Sequence, residues 1–182
     1  LAELWFSLAR AGDLPTLLKS LVVKKAQLEV AREVMKADER AYEDFVQTLI
    51  AGLSHRRPRV RFECSGALDR FGDASCREPL ARLMDDPVPR VRWMAMHALS
   101  CHACGAAAGG LDAELEARII RAANEDASLR VRRNAAVALG LAGRRGAIPA
   151  LRTIIETESD AKLQRMARWA LSQCEGEGQV AT

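Results

Sequence analysis

The fold this sequence predicts is all-α: a right-handed solenoid of stacked antiparallel helix pairs. Three observations predict it. The first is a repeat. Arg59-Val60-Arg61 is followed by Ala67-Leu68, Arg90-Val91-Arg92 by Ala98-Leu99, and Arg130-Val131-Arg132 by Ala138-Leu139, while Leu163 and Leu171 keep the same offset of eight. The leucines at 68, 99, 139 and 171 stand 31, 40 and 32 residues apart, in the range of about 20–50 residues that marks stacked supersecondary units. The second is periodicity. With residues 60, 91, 131 and 163 taken as position zero, small or apolar residues recur at +4 (Cys64, Ala95, Ala135, Ala167), +7 (Ala67, Ala98, Ala138, Ala170) and +8. At about 100° per residue these share one helix face. The third is composition. Apolar residues reach 49% with only 4% aromatics, a balance that suits closely packed helices better than sheets.

The elements follow in order. Leu1 to Ala11 reads as a helix ended by Gly12, Asp13 with Pro15 starts a second through Val23, and Lys25 to Lys36 forms a third. Residues 1–37 are thus expected to be an irregular N-terminal cap, because a terminal unit must present a polar face where no neighbour stacks. Asp38 caps a helix to Leu53 with Tyr42, Phe45, Val46, Leu49, Ile50 and Leu53 on one side. Ser75 to Met84, Asp112 to Ala123 and Ala147 to Glu156 are the other first helices. Each precedes a second helix that carries the repeated pattern. Pro58 and Pro89 fall in the first turn of their helices, where proline is tolerated. Breakers separate the elements at Arg57-Pro58, Gly72-Asp73, Pro87 with Pro89, Gly105 to Gly110, and Gly143 with Gly146. Four repeats are expected at about 38–72, 73–104, 105–143 and 144–174, continuous with the cap as one domain, with a disordered polar tail at 175–182. About ten or eleven helices result.

Composition narrows the function. The net charge of +3 is too weak a bias to imply nucleic acid by itself. Five cysteines, an odd number with no disulfide-framework spacing, point to a reduced, cytoplasmic setting. No apolar stretch approaches the roughly 18–20 residues of a membrane span, so no membrane partner is expected. The chain starts at Leu1 rather than Met, as expected of a fragment.

A short helix, a turn with Asp, and a second helix opening with Val-Arg resembles the HEAT-repeat family, an armadillo-like architecture. The form resembled is the short bacterial and archaeal one, also found in phycobilisome lyase-like proteins. The resemblance covers about Asp38 to Cys174. It implies a structural ladder of turn Asp and helix Arg between successive repeats. The matching pairs are Asp86 with Arg92 and Asp126 with Arg132, while the outer units carry His55 with Arg61 and Glu158 with Gln164. An Arg in a first helical turn opposes the macrodipole and needs a carboxylate nearby. The resemblance also implies that the second helices line the concave face, and that such a protein is a scaffold.

The opposite face of the second helices carries the candidate site. Positions +2, +5, +6 and +9 lie about 140–240° from position zero. Among them are Phe62, Trp93, Met96, His97, Arg133, Val137, Arg165, Arg168 and Trp169. A solvated face would be polar throughout, whereas Trp, Arg and aromatics are the residues of binding hot spots. A protein partner gripped by this row is the leading expectation. The competing expectation is that Phe62 and Trp93 tuck against the next repeat. Nucleic-acid binding through Arg130, Arg132, Arg133, Arg144, Arg145, Arg165 and Arg168 is a second class, and a lyase-like or enzyme-accessory subunit a third.

One metal-like cluster stands out. His97, Cys101, His102 and Cys104 place four potential ligands within eight residues. No second Cys pair follows at zinc-ribbon spacing, and one helix does not let the four converge. Neither metal nor other cofactor is expected. No Gly-x-Ser-x-Gly elbow and no phosphate loop after a strand occurs, so the chain reads as non-catalytic.

Overall fold

The computed structural model describes residues 2–21, 33, 37–100 and 111–176. All regular structure in them is helical: α1 (Ala2–Arg10), α2 (Leu14–Ser20), α3 (Glu39–Gly52), α4 (Pro58–Phe71), α5 (Arg77–Arg82), α6 (Pro89–Ser100), α7 (Ala113–Glu125), α8 (Leu129–Ala142), α9 (Ile148–Thr157) and α10 (Ala161–Gly176). Short 3-10 turns flank α5 at Ala74–Cys76 and Leu83–Asp85, and another precedes α9 at Arg145–Ala147. The helix expected at Lys25 to Lys36, apart from Glu33, the Cys101–Gly110 connection and residues 177–182 of the tail lie outside the described residues.

Local chemistry sets the helix starts. The side chain of Asp38 accepts from the Ala41 N–H at 3.0 Å, that of Asp13 from Thr16 at 3.2 Å and that of Asp112 from Leu115 at 2.8 Å. Each satisfies an amide that has no partner inside its helix. Pro58 and Pro89 open α4 and α6. Gly143 ends α8 with φ of +61°, a conformation that costs glycine nothing. The helix expected over Ser75 to Met84 is instead three pieces. Asp73 turns its side chain onto the Ser75 N–H at 2.8 Å and starts a 3-10 turn, and a second 3-10 turn ends α5.

The helices stack as two layers. α3 packs on α4, α5 on α6, α7 on α8 and α9 on α10. The second helices also pack in series, α4 on α6, α6 on α8, α8 on α10. This is an α-solenoid, held by nearest-neighbour interfaces. Cys64, Ala95, Ala135 and Ala167 are fully buried, as are Val91, Val131 and Leu163. Only Val60 and Leu171 of that stripe are half-buried, because each sits in an outermost repeat of the series.

The cap is aromatic. Trp5 on α1 lies fully buried, with its ring 5.5 Å from Phe71 and 6.5 Å from Phe45. α1 packs on α3 and α2 on α4, so the first two helices continue both layers.

Candidate functional site

The ladder is the first feature of the second helices. Arg61 donates from Nε to Asp86 at 2.6 Å and from Nη2 at 2.9 Å. Arg92 repeats this on Asp126, at 2.8 and 2.7 Å, and Arg132 reaches Glu158 at 3.2 Å. The pairing therefore differs from the six-residue pairs read from the sequence. Each carboxylate belongs to the arginine of the preceding repeat. Within a repeat, the arginine donates instead to the backbone: Arg92 to the Asp86 carbonyl at 2.8 Å and Arg132 to that of Asp126 at 3.3 Å. The outer units follow the same logic. Arg61 donates to the His55 carbonyl at 2.9 Å and Gln164 to that of Glu158 at 2.7 Å. Among the described residues, His55 faces no arginine of an earlier unit and Gln164 no carboxylate of a later one. The hydrogen bonds that Arg61 donates to the Asp86 carboxylate raise its pKa above the usual value. At Asp126 burial pushes the carboxyl up, while Arg92 and the Ser128 N–H more than offset it, leaving it below 3.8.

Next to the ladder runs the +2 row, which stitches repeats together. Phe62 meets Trp93 edge-on, with ring centroids 5.7 Å apart at 65°. The Arg90 guanidinium covers Phe62 at 5.7 Å and that of Arg130 covers Trp93 at 5.6 Å. At the third interface Arg133 takes over and grips Asp160 from Nε at 2.9 Å. Phe62, Trp93 and Arg133 are all half-buried. The Trp93 indole N–H is buried and finds no acceptor among the described residues.

Met96 is placed elsewhere than expected. It is 1% exposed and belongs to the core between second helices, so it offers nothing to a partner. Ser65 and Ala136 share its register and are buried, as are Asp69, Ser100 and Gly140 at +9. The reason is geometric. A lone surface helix buries one face, but a second helix of a solenoid touches its own first helix and a second helix on each side. The exposed arc is correspondingly narrow.

What remains open is a strip at registers −1, +2 and +6, joined on the outermost helix α10 by +5. His97 and Val137 are half-buried in it, and Arg165, Arg168 and Trp169 are exposed on α10. Trp169 is 40% exposed and lies over Gly140, where a Cβ would come 2.7 Å from its ring. His97 faces Asp69 of the preceding repeat, Nε2 to carboxylate 3.7 Å. The sequence reading missed Arg90, Arg130 and Asp160 as members of this face. Its register carried a signal: position −1 is Arg59, Arg90, Arg130 and Lys162, a cation in every repeat, all exposed.

Three of the seven arginines proposed for phosphate are already engaged by carboxylates. Arg132 holds Glu158, Arg133 holds Asp160 and Arg144 holds Glu116 at 3.1 Å. Among the described residues no group of three or more side chains could hold a metal ion. Cys101, His102 and Cys104 lie outside those residues. No helix among them is long and apolar enough to cross a membrane.

Comparison with known proteins agrees with this geometry. Residues 46–108 match the family of HEAT repeats. No curated protein matches the chain. Among solved structures, the crystal structure of an engineered protein is similar over 97% of this chain and 85% of its own, with a TM-score of 0.53 and 20% identity. At that identity the likeness concerns the fold alone. The described residues thus form an all-α solenoid, and residues 46–108 are similar to HEAT repeats.

Proposed function

We propose that this chain is a non-catalytic scaffold that holds a protein partner on its second-helix face. HEAT repeats are commonly protein-interaction modules. The observation that carries the reading is Trp169, 40% exposed beside the exposed Arg165 and Arg168 on the same helix. An exposed Trp flanked by Arg is the composition of an interface core, not of a solvated surface. In this reading residues 1–37 cap four repeats, at 38–72, 73–104, 105–143 and 144–174, in one right-handed domain; the tail starts only after Gly176, because Glu175 and Gly176 complete α10. The proposal extends to a cytoplasmic setting, supported by the buried thiols of Cys64, Cys76 and Cys174, and to the short HEAT form of phycobilisome lyase-like proteins, supported by the Val-Arg openings of α4, α6 and α8.

The test is a pull-down from nuclease-treated lysate with the native chain and an Arg165→Ala, Arg168→Ala, Trp169→Ala variant. All three side chains are exposed, so the variant keeps its helices. A protein retained by the native chain and lost by the variant is the expected result. Equal retention would sink the assignment of this strip. The row of cations at −1 keeps a nucleic-acid reading distinct. It requires binding of an oligonucleotide that falls steeply with salt.

A further inference from the structure

A groove crosses the other end of the second-helix face. It holds about 590 Å³ between α2, α4 and the edge of α6. Leu18, Val60, Phe62 and Met94 line it with apolar surface. Gly66 strips the middle of α4 to its backbone, and a Cβ there would meet nothing nearer than Met94 at 3.8 Å. The groove is therefore open where a helix would ordinarily present a side chain. Its rim is cationic. Among the described residues, Lys19, Arg57 and Arg59 stand on it with one carboxylate, Glu63, which Arg59 pairs at 2.7 Å. Arg70 is held in place by the carbonyls of Gly66 at 3.2 Å and Leu21 at 3.3 Å. Lys19 and Arg57 are exposed.

We propose that this groove docks an acidic amphipathic helix of the partner protein. The inference rests on the reading of the chain as a protein-binding scaffold and names the chemistry of the segment it takes. An apolar channel between helices takes the apolar face of a partner helix as i, i+3, i+4 and i+7 anchors. The surplus of cations on the rim selects Asp and Glu on the flanks of that helix and rejects basic segments. A basic or neutral amphipathic helix would leave the rim charges unmatched. A phosphate backbone would satisfy the rim but leave the apolar floor uncovered.

The experiment is selection of 20-residue peptides from a random display library on the purified chain. It is followed by fluorescence anisotropy of the enriched peptides with two variants. Lys19→Glu with Arg57→Glu reverses rim charge; a Glu at residue 57 precedes the N-terminus of α4, where it suits the macrodipole. Gly66→Leu fills the floor while replacing a poor helix former with a good one. The expected result is enrichment of peptides combining Asp or Glu with Leu, Phe or Met at helical spacing. Each variant should then weaken binding by roughly tenfold or more. Peptides that bind both variants as tightly as the native chain would overturn the groove and leave the scaffold reading standing. Absence of any enriched peptide, with a single-stranded oligonucleotide bound instead, would overturn both. A dimer of the native chain that Gly66→Leu converts to monomer in light scattering would make the occupant a second copy and likewise overturn the proposal.

Discussion

Arg92 holds two repeats by one guanidinium. Nε and Nη2 grip the Asp126 carboxylate of the following repeat at 2.8 and 2.7 Å, and Nη1 donates to the Asp86 carbonyl of its own turn at 2.8 Å. The bidentate fork fixes the distance and the angle between neighbours at once, which a lysine could not do.

This pair is 15% and 9% exposed at its two side chains, so removing either partner strands a mostly desolvated charge. Arg92→Ala is expected to cost about 3 kcal/mol in urea unfolding. The double variant Arg92→Ala, Asp126→Ala should cost clearly less than the sum of the singles, since it strands neither charge. Gln164→Ala, which loses one neutral hydrogen bond to the Glu158 carbonyl, should cost about 1 kcal/mol or less. Additive costs at 92 and 126 would show that the ladder is decoration.

Acid should undo the Arg133–Asp160 link in a defined window. The hydrogen bond from Arg133, with the Leu163 N–H, holds the Asp160 carboxyl down at about 2, from an ordinary 3.8. A depressed carboxyl contributes stability above its unfolded value and loses it as pH falls through the folded one. The contribution is thus intact above about pH 4 and disappears toward pH 2. Asp160→Asn keeps an acceptor for the Leu163 amide and removes only the charge. Its melting temperature should lie below the native one at pH 5, with the gap closing by pH 2. A gap that stays constant down to pH 2 would show that the charge of Asp160 does not carry the loss.

Periodicity explains why so much of the core was legible. A residue repeated in register at 64, 95, 135 and 167 has the same surroundings each time, and all four are fully buried. Met96 was not legible, because one sequence shows a helix its own periodicity but not how many neighbours it has. The direction of the ladder escaped for a related reason. Asp86 and Arg92 are close in sequence, yet the carboxylate reaches back 25 residues to Arg61. The arginines stacked on Phe62 and Trp93 depend on the spacing between repeats, which only the folded chain sets.

Two glycines in equivalent helices should respond oppositely to alanine. At Gly140 a Cβ would come 2.7 Å from the Ala170 backbone and 2.7 Å from the Trp169 ring, so α8 and α10 would have to separate. Gly140→Ala should destabilise by about 1–3 kcal/mol despite better helix propensity. Gly66 has no such neighbour, so Gly66→Ala should be stabilising by about 0.5–1 kcal/mol. Denaturant midpoints that move together would mean that α8 and α10 are not in the close contact described.

Two thiols report the integrity of separate interfaces. Burial pushes the Cys64 thiol up to about 12 and that of Cys76 up to about 11. The thiolate is the nucleophile, so near pH 8 both groups are shielded by low ionisation as well as by occlusion. Iodoacetamide should leave the peptides containing Cys64 and Cys76 unmodified in the native chain and label them in urea, as read by mass spectrometry. Cys64 lies against Gly52, at the junction of α3 and α4, and Cys76 donates to the Asp73 carbonyl at 2.9 Å at the start of the next repeat. Labelling of Cys76 at lower urea than Cys64 would place the first opening at the 3-10 turns around α5, where the helix is shortest. Simultaneous labelling would show that the repeats open as one unit.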